Sequence, residues 1–144
     1  MSVKRINLEG VGLNRFFGSL EAQIMDIIWA NSKVTTKQVQ SLLKEVLSYN
    51  AVMTVMNRLI EKGHLKKTTV GKGRFRQSYF ESVQSKEAFI DEQTRIVTEG
   101  FIHDFGDLMV NHMVDAVQEA DPGLMLLLEA RLEQWRKGAS ENDH

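Results

Sequence analysis

The chain has 144 residues, 42% hydrophobic and 26% charged, with a formal charge of -1, a balance suited to one compact soluble unit with an appendage and unlike a disordered or fibrous chain. It contains no cysteine, which excludes disulfides, zinc-thiolate and iron-sulfur centres and a cysteine nucleophile. No apolar run reaches the roughly 18 residues of a membrane span and the first residues lack a secretory apolar stretch, so a cytoplasmic protein without membrane attachment is expected.

The net charge hides a division at Phe80. Residues 1–80 hold 13 Lys and Arg against five Asp and Glu, net +8, while residues 81–144 hold five against 14, net -9. Opposite signs in the two parts suggest a polyanion-binding module joined to an acidic one.

Residues 1–18 read as an N-terminal arm carrying Lys4, Arg5 and Arg15, with Phe16 and Phe17 placed to pack on the body. Leu20, Ile24, Ile27 and Ile28 recur at the spacing of one helical stripe, with Ser19 as N-cap and Asn31-Ser32 as the end. A second helix starts at Thr35 or Thr36 and is expected to bury Val39, Leu42, Leu43 and Val46. Ser48 caps a third, whose stripe is Val52, Val55, Met56 and Leu59 and which Gly63 closes in a left-handed conformation. The period then changes: residues 65–70 and 75–80 are rich in Thr, Val, Phe and Tyr and flank Gly71-Lys72-Gly73-Arg74, the pattern of a hairpin with a cationic tip. Three helices followed by a hairpin make a winged helix.

Beyond Ser82 the helical period returns. Ser85 caps a segment with Phe89, Gln93, Ile96 and Val97 on one face, and Gly100 is expected to bend or break it. Phe105, Leu108, Met109, His112, Met113 and Ala116 form the next stripe, and Asp121-Pro122 opens a last helix with Leu124, Leu127, Leu128, Leu132 and Trp135. Stripes this wide have few partners within their own half, and a second copy of the chain is the simplest one. The expected fold is mainly α with a small β-hairpin: an arm at 1–18, a winged helix-turn-helix domain at 19–82, a helical dimerisation domain at 83–138 and a flexible tail at 139–144. Phe101, Phe105, Leu108, Met109, Met113, Leu124, Leu127, Leu128, Leu132 and Trp135 are the candidate dimer contacts.

In a helix-turn-helix the second helix of the motif enters the major groove with its N-terminal residues on base edges. With its apolar stripe turned inward, the helix from Tyr49 presents Asn50, Ala51, Met53, Thr54, Asn57, Arg58 and Glu61. Asn pairs with an adenine edge, and Thr, Ala or Met touches a thymine methyl, so an A·T-containing half-site is expected. From Arg58 to Arg76 there are seven basic residues and one acid, Glu61, with Phe75 and Tyr79 interleaved, a strip that matches a phosphate backbone. The candidate DNA-binding set is Ser48, Asn50, Ala51, Thr54, Arg58, Lys62, Lys72, Arg74 and Arg76. The alternative for this cationic face is a winged-helix module that docks an acidic protein.

No site for chemistry emerges. There is no His-Glu-x-x-His, no Gly-x-Ser-x-Gly and no phosphate-binding Gly-Lys-Ser/Thr loop, so no enzymatic activity, metal or cofactor is expected. His103 and His112 fall on opposite sides of one continuous helix, about 180° apart at 100° per residue. His112 with Met109 and Met113 is the one cluster that hints at a metal or haem ligand.

The segments Leu20-Glu21-Ala22-Gln23-Ile24-Met25-Asp26-Ile27-Ile28-Trp29 and Val52-Met53-Thr54-Val55-Met56-Asn57-Arg58-Leu59-Ile60-Glu61-Lys62-Gly63 resemble the penicillinase-repressor family, the bacterial BlaI/MecI/CopY transcriptional regulators. The resemblance extends over residues 19–90. It implies a winged-helix repressor that dimerises through its C-terminal helices on a dyad-symmetric operator and is released by a signal the sequence does not identify. It assigns base and phosphate contacts to Asn50, Ala51, Thr54 and Arg58 and to the wing at Lys72 and Arg74. This chain departs from the family in three places. Ala51 stands where many relatives begin the recognition helix with Thr. Gly100-Phe101 occupies the neighbourhood of the Asn-Phe bond at which antibiotic-responsive members are cleaved. The Cys-x-Cys pairs of copper-responsive members are absent.

Overall fold

The computed structural model describes residues 6–142; Lys4 and Arg5 of the arm, and the last two residues of the tail, lie outside them. The chain forms two compact units that divide between Ile96 and Val97.

In the first unit, the arm closes on itself through the Asn7 amide donating to the Arg15 carbonyl at 2.7 Å and the Arg15 guanidinium donating to the Leu8 carbonyl at 3.1 Å. A short turn at Gly12–Arg15 then delivers Phe16 and Phe17 to the core. Phe17 stacks on Phe89 with ring centres 5.0 Å apart, and Phe16 meets the same ring edge-on at 6.0 Å.

Helix α1, Ser19–Asn31, buries Ala22, Ile24, Met25 and Ile28, while Leu20 and Ile27 pack half-buried at the rim. Its N-cap is Gly18, not Ser19. The Gly18 carbonyl accepts the Ala22 amide at 2.9 Å and Ser19 is already helical. At the other end Ser32 takes a positive φ of 64°, a conformation uncommon for a residue with a Cβ.

Helix α2, Thr36–Leu42, begins with a full capping box between Thr35 and Gln38 and is shorter than its apolar spacing predicts. Leu43 turns extended (φ -71°, ψ 146°), so the i, i+3, i+7 pattern is broken before Val46. Leu43 remains in the core, but Leu42 is 53% exposed and Val46 wholly so. The Gln40 side-chain amide Nε2 donates to the Leu47 carbonyl at 2.8 Å and ties this turn down, an interaction no apolar pattern reports.

Helix α3, Tyr49–Glu61, follows the sequence closely. The Ser48 hydroxyl accepts the Ala51 amide at 3.1 Å, Val52, Val55, Met56 and Leu59 are buried, and Gly63 closes the helix at φ 83°.

Strands β1, Leu65–Val70, and β2, Gln77–Ser82, pair antiparallel from Leu65 opposite Ser82 to Val70 opposite Gln77. The second strand starts two residues later than the β-rich run at 75–80 predicts, because Phe75 belongs to a tight turn at Gly73–Phe75. Val34 exchanges both backbone hydrogen bonds with Phe80, at 3.0 and 2.7 Å, and so fastens the link between α1 and α2 to the hairpin.

Helix α4, Lys86–Ala120, is capped by Ser85, whose hydroxyl accepts the Ala88 amide at 3.1 Å. It puts Phe89 and Gln93 into the core of the first unit. It is not broken at Gly100. A single glycine inside a long helix costs only about 1 kcal/mol, and the irregularity sits at Phe105 (φ -135°, ψ 31°), just before Gly106.

The second unit therefore consists of the remainder of α4 and helix α5, Pro122–Asn142. Asp121 opens α5, its carboxylate accepting the Gly123 amide at 2.8 Å. No residue described beyond Ile96 is fully buried. No described helix is long and apolar enough to cross a membrane.

Candidate nucleic-acid interface

The buried stripe of α3 fixes its opposite face outward. Asn50, Thr54, Asn57, Arg58 and Glu61 are exposed, and Ala51 and Met53 are half-buried at the edge. The Thr54 hydroxyl donates to the Asn50 carbonyl at 2.8 Å. That bond uses the donor of an exposed hydroxyl whose oxygen can still accept a hydrogen bond. Ser48 is occupied in capping, and neither Asp26 nor Glu61 holds Arg58: Asp26 is paired to Lys86 at 2.8 Å, and Arg58 has no ion-pair partner among the described residues.

Beside the start of α3 lies a cleft of about 320 Å³ walled by Lys37 of α2, Tyr49 and Met53 of α3, and Lys67, Arg76 and Phe80 of the hairpin. The buried Thr36 hydroxyl donates to the Met53 sulfur at 3.0 Å and fixes the floor. Three cations, one from α2 and two from the hairpin, converge here, and none has an ion-pair partner among the described residues. Such a pocket suits a phosphate oxygen. Lys67 is one of the seven basic residues of the Arg58–Arg76 strip but not of the candidate set, and Lys37 belongs to neither. The signal for Lys67 is the strand period: residues directly opposite share a face, so Lys67 lies with Phe80, its ammonium 5.9 Å from the ring. Lys66 lies with Glu81, which it approaches to 3.6 Å. Nothing local marks Lys37, which is brought in by the packing of α2 on the hairpin.

The remaining candidate cations divide in two. Lys72, Arg74 and Arg76 are exposed along the hairpin tip, with the Arg74 guanidinium 5.3 Å from the Phe75 ring. Lys62 is turned away to Glu21, which it meets at 2.8 Å. Beneath this surface, His64 is buried edge-on between Phe17 and Phe89 at 5.1 and 5.5 Å. Burial first, and then the Lys62 charge, hold its pKa below the usual 6.5.

In the second unit, Phe105, Leu108, Met113, Leu124, Leu127, Leu132 and Trp135 are exposed, and Phe101, Met109 and Leu128 are half-buried. Ile102, Val110, Val114 and Leu126 are further exposed apolar residues that the sequence did not single out. His103 meets the adjacent Asp104 at 3.1 Å, both side chains exposed. The described residues contain no group of three or more His, Asp or Glu that would hold a metal ion.

Among solved structures, a MarR mutant from E. coli complexed with operator DNA is 13% identical over 82% of this chain and 74% of that one, at a TM-score of 0.45. The zinc-responsive MarR family member ZitR from Lactococcus lactis is 16% identical over 97% and 85%, also at 0.45. Stf76 from the Sulfolobus islandicus plasmid-virus pSSVx is 12% identical over 52% and 95%, at 0.40. No curated protein sequence matches. The family model described as penicillinase repressor matches residues 17–134, which takes in the whole winged helix, α4 and most of α5. The chain belongs to the penicillinase repressor family, a family of transcriptional regulators and not of enzymes.

Proposed function

We propose that this chain is a sequence-specific DNA-binding repressor that works in the cytoplasm as a homodimer on a dyad-symmetric operator. One observation carries the reading: the polar face of α3 is exposed beside a cleft where Lys37, Lys67 and Arg76 converge without ion-pair partners among the described residues. Asn50, Ala51 and Thr54 touch base edges in the major groove, and Arg58, Lys72, Arg74 and Arg76 hold the flanking phosphates. Ser48 and Lys62 act one step back, the first by fixing the start of α3 and the second by pinning its end to α1.

Residues 19–82 serve as the DNA-binding domain, residues 83–138 as the dimerisation domain, and the arm and tail flank them. The support for dimerisation is the number of exposed large apolar residues on α4 and α5, since two helices with apolar side chains left outward call for a further element to cover them. A signal that separates the two copies, or their winged helices, would release the operator.

Selection from a pool of randomised duplexes tests the reading. It is expected to enrich an inverted repeat with half-sites about one helical turn, ~10 bp, apart. Thr54→Ala is expected to relax one base pair in each half-site by ~1–3 kcal/mol. A pool that shows no enrichment contradicts the proposal.

A further inference from the structure

Phe75 is 77% exposed, the most exposed aromatic side chain among the described residues. It contributes nothing to the core, yet the backbone that holds it is tightly made. The Phe75 amide donates to the Lys72 carbonyl at 3.2 Å and the Arg76 amide to the Gly73 carbonyl at 3.1 Å. Gly71 and Gly73 both have positive φ, 87° and 59°. A Cβ on Gly71 would collide with the Phe75 carbonyl oxygen, so the glycine is what allows the tip to fold back under the ring.

The charged residues next to that ring in the hairpin are all cationic. Lys72, Arg74 and Arg76 flank it, the Arg74 guanidinium lies over its face, and no acidic residue occurs between Glu61 and Glu81. A partner for this tip must offer negative charge on the outside and an apolar interior that an aromatic edge can enter. Duplex DNA has both, as phosphate rails around a base stack. The tip also stands where a duplex would meet it. Arg76 shares the cleft wall with Tyr49 and Met53 of α3, so a duplex whose major groove takes α3 presents its neighbouring minor groove to the hairpin beyond Arg76.

We propose that Phe75 is a wedge that enters a base step in the minor groove, held between phosphate-bound cations, so that the protein selects a deformable step in addition to the bases read by α3. This rests on the DNA-binding reading above. Apolar side chains inserted in the minor groove unstack a step and kink the duplex by roughly 20–90°. Pyrimidine–purine steps yield most easily. Specificity then appears at a position where no hydrogen bond to a base is made.

The test is to run the duplex selection in parallel with wild-type protein and Phe75→Ala. The wild type is expected to enrich a TA or CA/TG step at a fixed distance outside each half-site. Phe75→Ala is expected to keep the half-sites and lose the step, to bind the wild-type site roughly tenfold more weakly, and to straighten it in end-to-end energy transfer. Its salt dependence and melting temperature stay those of the wild type, because the substitution alters neither charge nor core packing. Phe75→Leu, which keeps an apolar wedge, is expected to retain the step preference. Identical motifs and bend angles for wild type and Phe75→Ala overturn the wedge and leave the DNA-binding reading standing. Failure of the wild type to enrich any sequence overturns both.

Discussion

The two units of this chain satisfy their apolar side chains in opposite ways. In the first, Ile24, Ile28, Val39, Val52, Met56, Leu59, Phe80 and Phe89 are almost completely buried, and the polar face of α3 is left outward. In the second, Leu108, Leu126, Leu127 and Trp135 are each more than half exposed. The first unit has a core of its own; the second has the material of a core without the second layer. Two helices need a further element to cover apolar faces on both. In the proposed function, stability and DNA recognition accordingly fall to the first unit and assembly to the second.

The largest expected effect is on the first unit. Phe89→Ala removes a ring packed against Phe16, Phe17, Trp29 and His64, and a loss of about 3–5 kcal/mol in urea unfolding is expected. In the second unit, Leu127→Glu is expected to leave the melting of the first unit in place and to raise the dimer dissociation constant roughly thirtyfold or more in sedimentation equilibrium. A Leu127→Glu protein that unfolds the first unit without changing assembly would erase the contrast.

Next comes Thr35→Ala, which removes half of the capping box on α2. A loss of ~0.5–2 kcal/mol is expected, together with weaker DNA binding as Lys37 loses its anchor. The smallest effect concerns His64. Its folded pKa lies below 6.5 because burial disfavours the charged form, so the unfolded chain binds the proton more readily. Stability is complete above pH 6.5 and falls as pH drops from there toward the lowered value. Melting temperatures across that window are expected to decline for the wild type and to flatten for His64→Phe.

The sequence already contained most of what is local. The stripes of α1 and α3, the Ser48 and Ser85 caps, the closure at Gly63 and the glycine-flanked hairpin are each written within a few residues of where they act. What depends on distant packing was not legible. The Val46 side chain has the right spacing for α2, but the backbone turns extended at Leu43 before reaching it. Gly100 carries the formal signal of a helix break, while the irregularity lies at Phe105. Among the site residues, the face of α3 follows directly from its buried stripe. Lys37 is brought beside Lys67 only when α2 and the hairpin close the cleft, and the pairing of Lys62 with Glu21, far away in sequence, is written in no local pattern.

The central claim is that the α3 face and the cations around it grip duplex DNA. It is tested most directly by the salt dependence of binding to the selected operator, measured by fluorescence anisotropy for the wild type and for Arg76→Ala and Lys67→Ala. The expected result is a steep fall of affinity with salt, with each substitution lowering the slope by ~1 for the phosphate that its side chain no longer neutralises. Affinity that does not change with salt, or slopes that both variants leave untouched, would contradict it.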